Sequence, residues 1–195
     1  WRFDNYLNAF ESFPAWVYLK NTLITSIIPV IFLPLSSSLV GFAFARIRVP
    51  GRNILFMIVL STMFLPGQVT IIPQFIIFRN LGMVDTLYPL FVGSIFGSAF
   101  WIFLLRQFYA AMPESLVEAA LLDGATMFQI WSRIFLPLSR TPLIAMAVLI
   151  FMGNWNNFFG ALVYLYSERW KTLPLALAGF QGKYLTNTPE LMGVT

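Results

Sequence analysis

Four long stretches of this chain carry no charged residue, and apolar side chains dominate each of them: about residues 22–45, 54–78, 86–105 and 142–166. A helix crosses the hydrocarbon core of a bilayer with about 20 apolar residues, so each stretch predicts a membrane-spanning helix. The second is interrupted by Pro66, Gly67, Gln68 and Pro73, which predicts a kink or a local unwinding. Such breaks persist in a membrane only where neighbouring protein or water satisfies the freed backbone groups. Small residues punctuate the spans: Ser36, Ser37, Ser38 and Gly41 in the first, Gly93, Gly97 and Ser98 in the third. Gly93 and Gly97 form a GxxxG pair, expected to let helices approach closely in ordinary intramolecular packing.

Residues 107–140 break this pattern. The segment is too polar and too interrupted to span, yet it is rich in helix formers. Pro113 suits a first helical turn, where its missing N–H would be unpaired anyway, and residues 114–122 read as a short helix. Asp123-Gly124 is a turn signal. Thr126 and Gln129 have the spacing of a capping box. Met127, Ile130, Trp131 and Ile134 form an apolar stripe at helical spacing, and Leu136-Pro137 is expected to end that helix. The pattern predicts two short helices joined at Gly124 and lying on the inner face of the membrane. Glu114 and Glu118, four apart, mildly repel in an isolated helix; a partner with cationic or N–H donor groups would relieve this. A solvated amphipathic loop at the membrane surface satisfies the same pattern.

Composition narrows the function classes. Hydrophobic residues make up 58% of the chain and charged residues only 10%, against about 25% charged in soluble domains. The chain has no Cys and no His, which removes disulfides, thiolate metal sites and the commonest general base. No catalytic residue, metal site or cofactor is expected. The net charge of +4 is small and scattered, unlike a nucleic-acid-binding surface. Ion-coupled secondary transporters usually place Asp, Glu or His within their spans, and these four stretches hold none. A membrane-embedded enzyme lacks candidate residues for the same reason, and a purely structural membrane subunit is a third class. Arg46, Arg48 and Arg52 lie between the first two stretches, and Arg106, Arg133 and Arg140 between the last two. Arg2, Lys20, Arg79, Arg169, Lys171 and Lys183 fall on the opposite side, so the count ties. The tight cluster of Arg46, Arg48 and Arg52 tips the first set to the cytoplasm, which places residues 1–20 and 168–195 outside. The chain opens on Trp1 without a signal-peptide pattern. Residues 1–195 read as one membrane domain, expected to be a piece of a longer protein.

Glu118-Ala119-Ala120, three residues, Gly124, nine residues, Ile134, one residue and Leu136-Pro137 resemble the EAA loop of ABC importer permeases, which also lies between two spans. Further stretches resemble that family: Phe42-Ala43-Phe44-Ala45-Arg46 with Pro50-Gly51-Arg52, Leu65-Pro66 to Ile72-Pro73, Phe103-Leu104-Leu105-Arg106-Gln107-Phe108, Gly153-Asn154-Trp155-Asn156 and Thr172-Leu173-Pro174-Leu175. Together they are similar to the carbohydrate branch, the relatives of the smaller maltose permease subunit. The resemblance implies an all-α, polytopic transmembrane helical bundle of the type I ABC importer permease fold, with one further span at each end. It implies a permease subunit of an ATP-driven importer for a sugar or oligosaccharide, or for another small polar solute. The implied partners are a cytoplasmic ABC ATPase dimer, a second permease subunit in a heterodimer and an extracytoplasmic solute-binding protein. ATP hydrolysis would belong to the ATPase. The short helices would be coupling helices that dock into it, with Glu118, Ala119, Ala120, Gly124, Ile134, Leu136 and Pro137 as the coupling residues.

Asn154, Asn156 and Asn157 sit inside the fourth stretch, where polar side chains usually face the bundle interior. They can hydrogen-bond sugar hydroxyls in a pathway, with Trp155 or Phe158 stacking on a sugar face, or they can bond between helices. Gln68 has the same choice. Trp101, Tyr164, Tyr166 and Trp170 read as lipid or interface residues. Residues 180–191 are expected, by resemblance alone, to face a binding protein.

Overall fold

The computed structural model describes residues 14–183, which form helices joined by turns and short irregular connections, with no strand among them. The first helix, α1 (Ala15–Arg46), is the one unbroken helix among the described residues that is long and apolar enough to cross a membrane. It starts seven residues before the expected span and contains Pro29 and Pro34. Its buried positions recur every three to four residues: Tyr18, Asn21 and Thr22, Thr25 and Ser26, Pro29, Leu33 and Pro34, Ser37 and Ser38, Gly41 and Phe42. That is one helical face, and much of it is small or hydroxylated. The opposite face exposes Leu23, Ile27, Ile31, Leu35 and Leu39. A water-soluble helix buries its apolar face; α1 does the reverse, as a lipid-facing helix does. Two of the buried hydroxyls are satisfied locally, with Thr22 donating to the Tyr18 carbonyl at 2.8 Å and Thr25 to the Asn21 carbonyl at 3.0 Å, whereas Ser26 Oγ has no partner among the described residues.

The second stretch is broken as expected. α2 (Arg52–Ser61) runs through a 3-10 turn at Thr62–Phe64, and α3 (Gly67–Asn80) leaves it at an angle of 99°. Leu65 and Pro66 at the break are extended, with ψ of 113° and 133°. Proline disfavours the helical conformation of the residue before it, which explains the position of the break. Pro73 lies within α3 without ending it.

The third stretch departs from expectation. Residues 86–98 hold two 3-10 turns, Tyr88–Leu90 and Val92–Phe96, and the helix α4 (Ala99–Ala110) begins only after them. Gly97 has φ +94° and ψ 171°, a conformation essentially reserved for glycine. Gly93 and Gly97 therefore do not lie on one helix face, and the GxxxG expectation is corrected. Gly97 alone of the two lies against α1, where a Cβ would stand 3.6 Å from the Ser37 backbone nitrogen, and a tighter approach occurs at Gly41, where a Cβ would stand 3.1 Å from the Arg106 backbone nitrogen and 3.2 Å from the Ile102 carbonyl oxygen. This is where α1 and α4 meet.

The short helices α5 (Ser115–Leu122) and α6 (Met127–Ile130) follow, and α7 (Arg140–Trp155) and α8 (Phe158–Tyr164) divide the fourth stretch at Asn156 and Asn157. α9 (Leu173–Lys183) is the last described helix. α1 packs most extensively against α4 and α7. One core gathers Leu33, Phe42, Leu105, Tyr109, Phe135 and Met146; the second gathers Leu87, Leu90, Ala161, Tyr164 and Leu175. Tyr164, expected at the lipid interface, is instead a core residue, stacked on Phe75 at 6.1 Å between ring centroids. Tyr166 is exposed as expected.

Each end of the bundle is tied by polar contacts. At one end Asn21 donates to the carbonyls of Arg169 and Lys171, both at 2.9 Å, and Thr22 accepts from the Leu173 N–H at 2.8 Å. At the other, Arg46 donates to the Tyr109 carbonyl at 2.6 Å and to the Met112 carbonyl. Of residues 180–191, expected to face a binding protein, those from 184 on lie outside the described residues.

Candidate functional site

The segment between α4 and α7 forms the expected pair of short helices. α5 is bent 79° from the helical stretch that ends at Ala110, and the stretch Met127–Leu138 is bent 76° from α7. Both short helices therefore lie across the ends of the longer ones. Pro113 precedes α5 by two positions, and Glu114 occupies the N-cap.

Gly124 makes the turn. Its φ of +79° is left-handed. The Ala125 N–H donates to the Ala120 carbonyl at 2.9 Å and the Gly124 N–H to the Leu121 carbonyl at 3.0 Å. These are the two bonds of a Schellman motif, which satisfies helix-end carbonyls when the residue after the cap is left-handed, usually glycine. The capping box forms two residues later: the Thr126 N–H donates to Gln129 Oε1 at 2.7 Å, and the Gln129 N–H donates to Thr126 Oγ1 at 3.3 Å. Gly124 is open on its outer side, since a Cβ there would meet no atom within 4 Å.

Leu136-Pro137 does not end the helix. A π-helical turn at Trp131–Phe135 leads into a helical turn at Leu136–Leu138, and the break comes at Ser139. Proline cannot donate to the turn before it, and a wide π-turn is one way a helix absorbs an interruption in its bonding ladder.

The residues expected to couple divide between two faces. Ala120 is buried, and Ile134 and Leu136 are half-buried against the first core. Glu118, Ala119, Gly124 and Pro137 are exposed. Beyond them, Leu122 is 89% and Phe128 62% exposed, a concentration of apolar surface at the tip. The expected repulsion between Glu114 and Glu118 is partly relieved within the chain, because Arg48 forms an ion pair with Glu114. Among the described residues no ion pair forms on Glu118.

Sequence reasoning missed the anchor beneath this segment. Tyr109 Oη lies 2.6 Å from Ser38 Oγ and 3.0 Å from Ser139 Oγ, and Trp131 Nε1 donates to Ser38 Oγ at 3.0 Å. Ser38, Tyr109 and Ser139 have no exposed surface. Phe42, Tyr109 and Phe135 surround them in edge-to-face pairs with centroids 4.9 to 6.2 Å apart. The signal in the sequence is the run Ser36-Ser37-Ser38 in an uncharged span, which by itself predicts no more than small-residue packing.

The polar residues of the fourth stretch bond within their own helices. Asn154 Nδ2 donates to the Ile150 carbonyl and Asn156 Nδ2 to the Met152 carbonyl, both at 2.8 Å. Asn157 Oδ1 accepts from the Gly160 N–H at 3.0 Å and caps α8. None of these is the bond between helices that was one alternative. Trp155 stacks on Phe151 with centroids 5.3 Å apart. Asn156 and Gln68 are exposed, Gln68 in the first turn of α3. Among the described residues no group of His, Cys, Asp and Glu could hold a metal ion.

Residues 37–183 match the family described as the binding-protein-dependent transport system inner membrane component. A probable ABC transporter permease protein of Pyrococcus horikoshii is 36% identical over 186 residues, covering 94% of this chain and 67% of that protein. The arabinooligosaccharides transport system permease protein of Halalkalibacterium halodurans is 35% identical over 190 residues, covering 97% and 68%. A solved bacterial ABC transporter involved in the import of the acidic polysaccharide alginate superposes with a TM-score of 0.84 at 26% identity, over 99% of this chain and 72% of that one. The chain thus spans about two thirds of the length of these curated relatives. The matched span contains the whole turned helix pair, and on that evidence the chain belongs to the inner membrane components of binding-protein-dependent ABC importers, as a transport subunit rather than a catalytic one.

Proposed function

We propose that this chain is a permease subunit of an ATP-driven importer of a sugar or oligosaccharide, and that its turned helix pair docks on a cytoplasmic ABC ATPase dimer. The observation that carries the docking is the pair itself, with Gly124 open to the outside and Leu122 almost fully exposed at its tip. Water is a poor surrounding for Leu122 and Phe128, whereas an apolar groove would bury about 1.5–3 kcal/mol of transfer free energy for each. Glu118 and Ala119 border that tip and would meet the groove's rim.

ATP would act by binding the two states of the ATPase pair unequally, the only way a ligand shifts an equilibrium. The helix pair would carry that displacement to α4 and α7, from which it emerges. A second permease subunit would complete the pathway, and an extracytoplasmic binding protein would deliver the solute. The sugar assignment rests on the similarity to the arabinooligosaccharide permease. Gln68, Asn154, Trp155, Asn156 and Asn157 are proposed as pathway residues, with Asn156 and Gln68 the best exposed.

The test is co-purification of the full-length protein with its ATPase. Glu118→Lys is expected to reduce the ATPase recovered while the permease itself stays folded. Unchanged recovery together with unchanged transport-linked ATP hydrolysis would remove Glu118 from the docking surface.

A further inference from the structure

The hydroxyls beneath the helix pair can be ordered by counting protons. Ser139 Oγ has one proton and lies 2.9 Å from both the Phe135 and Leu136 carbonyls. A carbonyl only accepts, and the one acceptor within reach of the Ser38 hydroxyl among the described residues is Tyr109, so with every donor satisfied Ser139 accepts from Tyr109. The single proton of Tyr109 is then spent on Ser139, and Tyr109 must accept from Ser38. Ser38 in turn accepts from the Trp131 indole N–H, which can only donate. The result is one continuous directional chain: Trp131 Nε1–H to Ser38 Oγ–H to Tyr109 Oη–H to Ser139 Oγ–H to the carbonyls of Phe135 and Leu136.

This chain begins and ends on the helix-pair segment. Between those ends it passes through α1 at Ser38 and the last turn of α4 at Tyr109. The links between side chains are all buried, and bonds in such a series polarise one another. No alternative orientation satisfies every donor, so a shift of the segment past α1 or α4 breaks the series as a whole. Arg46 reinforces the same junction from α1, with its guanidinium carbon 5.3 Å from the centre of the Phe135 ring and its amino group on the Tyr109 carbonyl.

We propose that Tyr109 is the positioning residue that makes α1, α4 and the helix pair move as one unit, so that displacement of the pair reaches the spans without slippage. The inference rests on the docking reading above, and the tests of the two separate. Tyr109→Phe removes only the central hydroxyl and keeps the ring between Phe42 and Phe135. It strands the Ser38 donor and leaves Ser139 with one partner fewer. Stranding a buried donor is a penalty equivalent to about tenfold or more in an equilibrium.

The experiment uses the complete transporter, with permease partner, ATPase and binding protein, reconstituted in vesicles. Solute uptake and ATP hydrolysis are measured on matched amounts of assembled complex. Tyr109→Phe is expected to retain the ATPase at the wild-type ratio while solute moved per ATP falls about tenfold. A wild-type transport-to-hydrolysis ratio overturns the proposal, and so does a loss of ATPase binding equal to that of Glu118→Lys, since Tyr109 would then act through docking. Trp131→Phe serves if Tyr109→Phe does not assemble: it removes only the first donor, and it too is expected to lower solute moved per ATP, by less. An unchanged ratio in Trp131→Phe contradicts the chain. Loss of docking on Glu118→Lys bears on the docking reading alone.

Discussion

The Asp85 carboxylate is clamped onto Ser167: Oδ1 accepts the Ser167 backbone N–H at 2.7 Å, and Oδ2 accepts the Ser167 hydroxyl. The Tyr166 N–H adds a third bond at 2.9 Å, and the Asp85 N–H returns one to the Tyr164 carbonyl at 2.9 Å. Asp85 adopts φ +59° to do this, a left-handed conformation in which Asp and Asn are the most tolerated residues after glycine. The clamp fixes the loop before α4 to the loop after α8.

These bonds, the Ser167 hydroxyl first, hold the Asp85 carboxyl below the usual carboxylate range. A lowered folded value means the unfolded chain binds the proton more readily. The clamp's contribution is therefore complete above about pH 4, the unfolded value, and is lost as the pH falls through the lowered folded value. Asp85→Asn keeps the backbone conformation but weakens the acceptor. At neutral pH it is expected to speed chymotryptic cleavage at exposed Tyr166 by several-fold over wild type. Equal rates would remove the clamp's role.

Gly41 permits the contact of α1 with α4, and a Cβ there would press on backbone atoms that cannot rotate away. Gly41→Val is expected to cost about 1–3 kcal/mol, the usual range for overpacking, and to lower the melting temperature of the purified protein. Gly93→Val, at a position where a Cβ meets nothing within 4 Å, is expected to cost less. The reverse order would contradict the placement of the close contact.

Arg48 and Glu114 form an exposed ion pair, with 79% and 57% of their side-chain surface accessible. Such pairs contribute about 0–1 kcal/mol. Arg48→Ala should leave the melting temperature nearly unchanged and add little to the loss caused by Glu118→Lys. A large drop would show that Arg48 does more than pair with Glu114.

Asn157 caps α8, and the Asn156 side chain bonds to its own helix. Asn157→Ala is expected to cost about 1 kcal/mol through the lost cap. Asn156→Ala is expected to lower solute uptake without loss of assembled complex. Wild-type uptake by Asn156→Ala would take it out of the proposed pathway.

Features governed by a few neighbouring residues were legible in the sequence. The capping box at Thr126 and Gln129, the turn at Gly124 and the break at Pro66 each follow from local backbone rules. The third stretch misled because hydropathy counts apolar side chains and ignores backbone geometry: Gly97 and Pro89 prevent a continuous helix through residues as apolar as any span. The chain through Ser38, Tyr109, Ser139 and Trp131 was hidden for another reason. Its links join residues 30, 71 and 93 positions apart, and nothing local marks a serine in an apolar run as one end of such a link. Ala120 and Glu118 belong to one motif, yet one is buried and the other exposed, since residues two apart lie on opposite sides of a helix.

The docking of the helix pair is tested most directly by recovering the ATPase on full-length protein carrying Gly124→Ala or Gly124→Trp. Both variants force a side chain into the same left-handed conformation at about the same backbone cost, of order 1 kcal/mol. Neither Cβ meets an atom of this chain, so the difference between them reports bulk on the outer surface. The account predicts that Gly124→Ala retains most of the ATPase and Gly124→Trp loses it, with both permeases equally folded. Equal recovery on the two variants would contradict it.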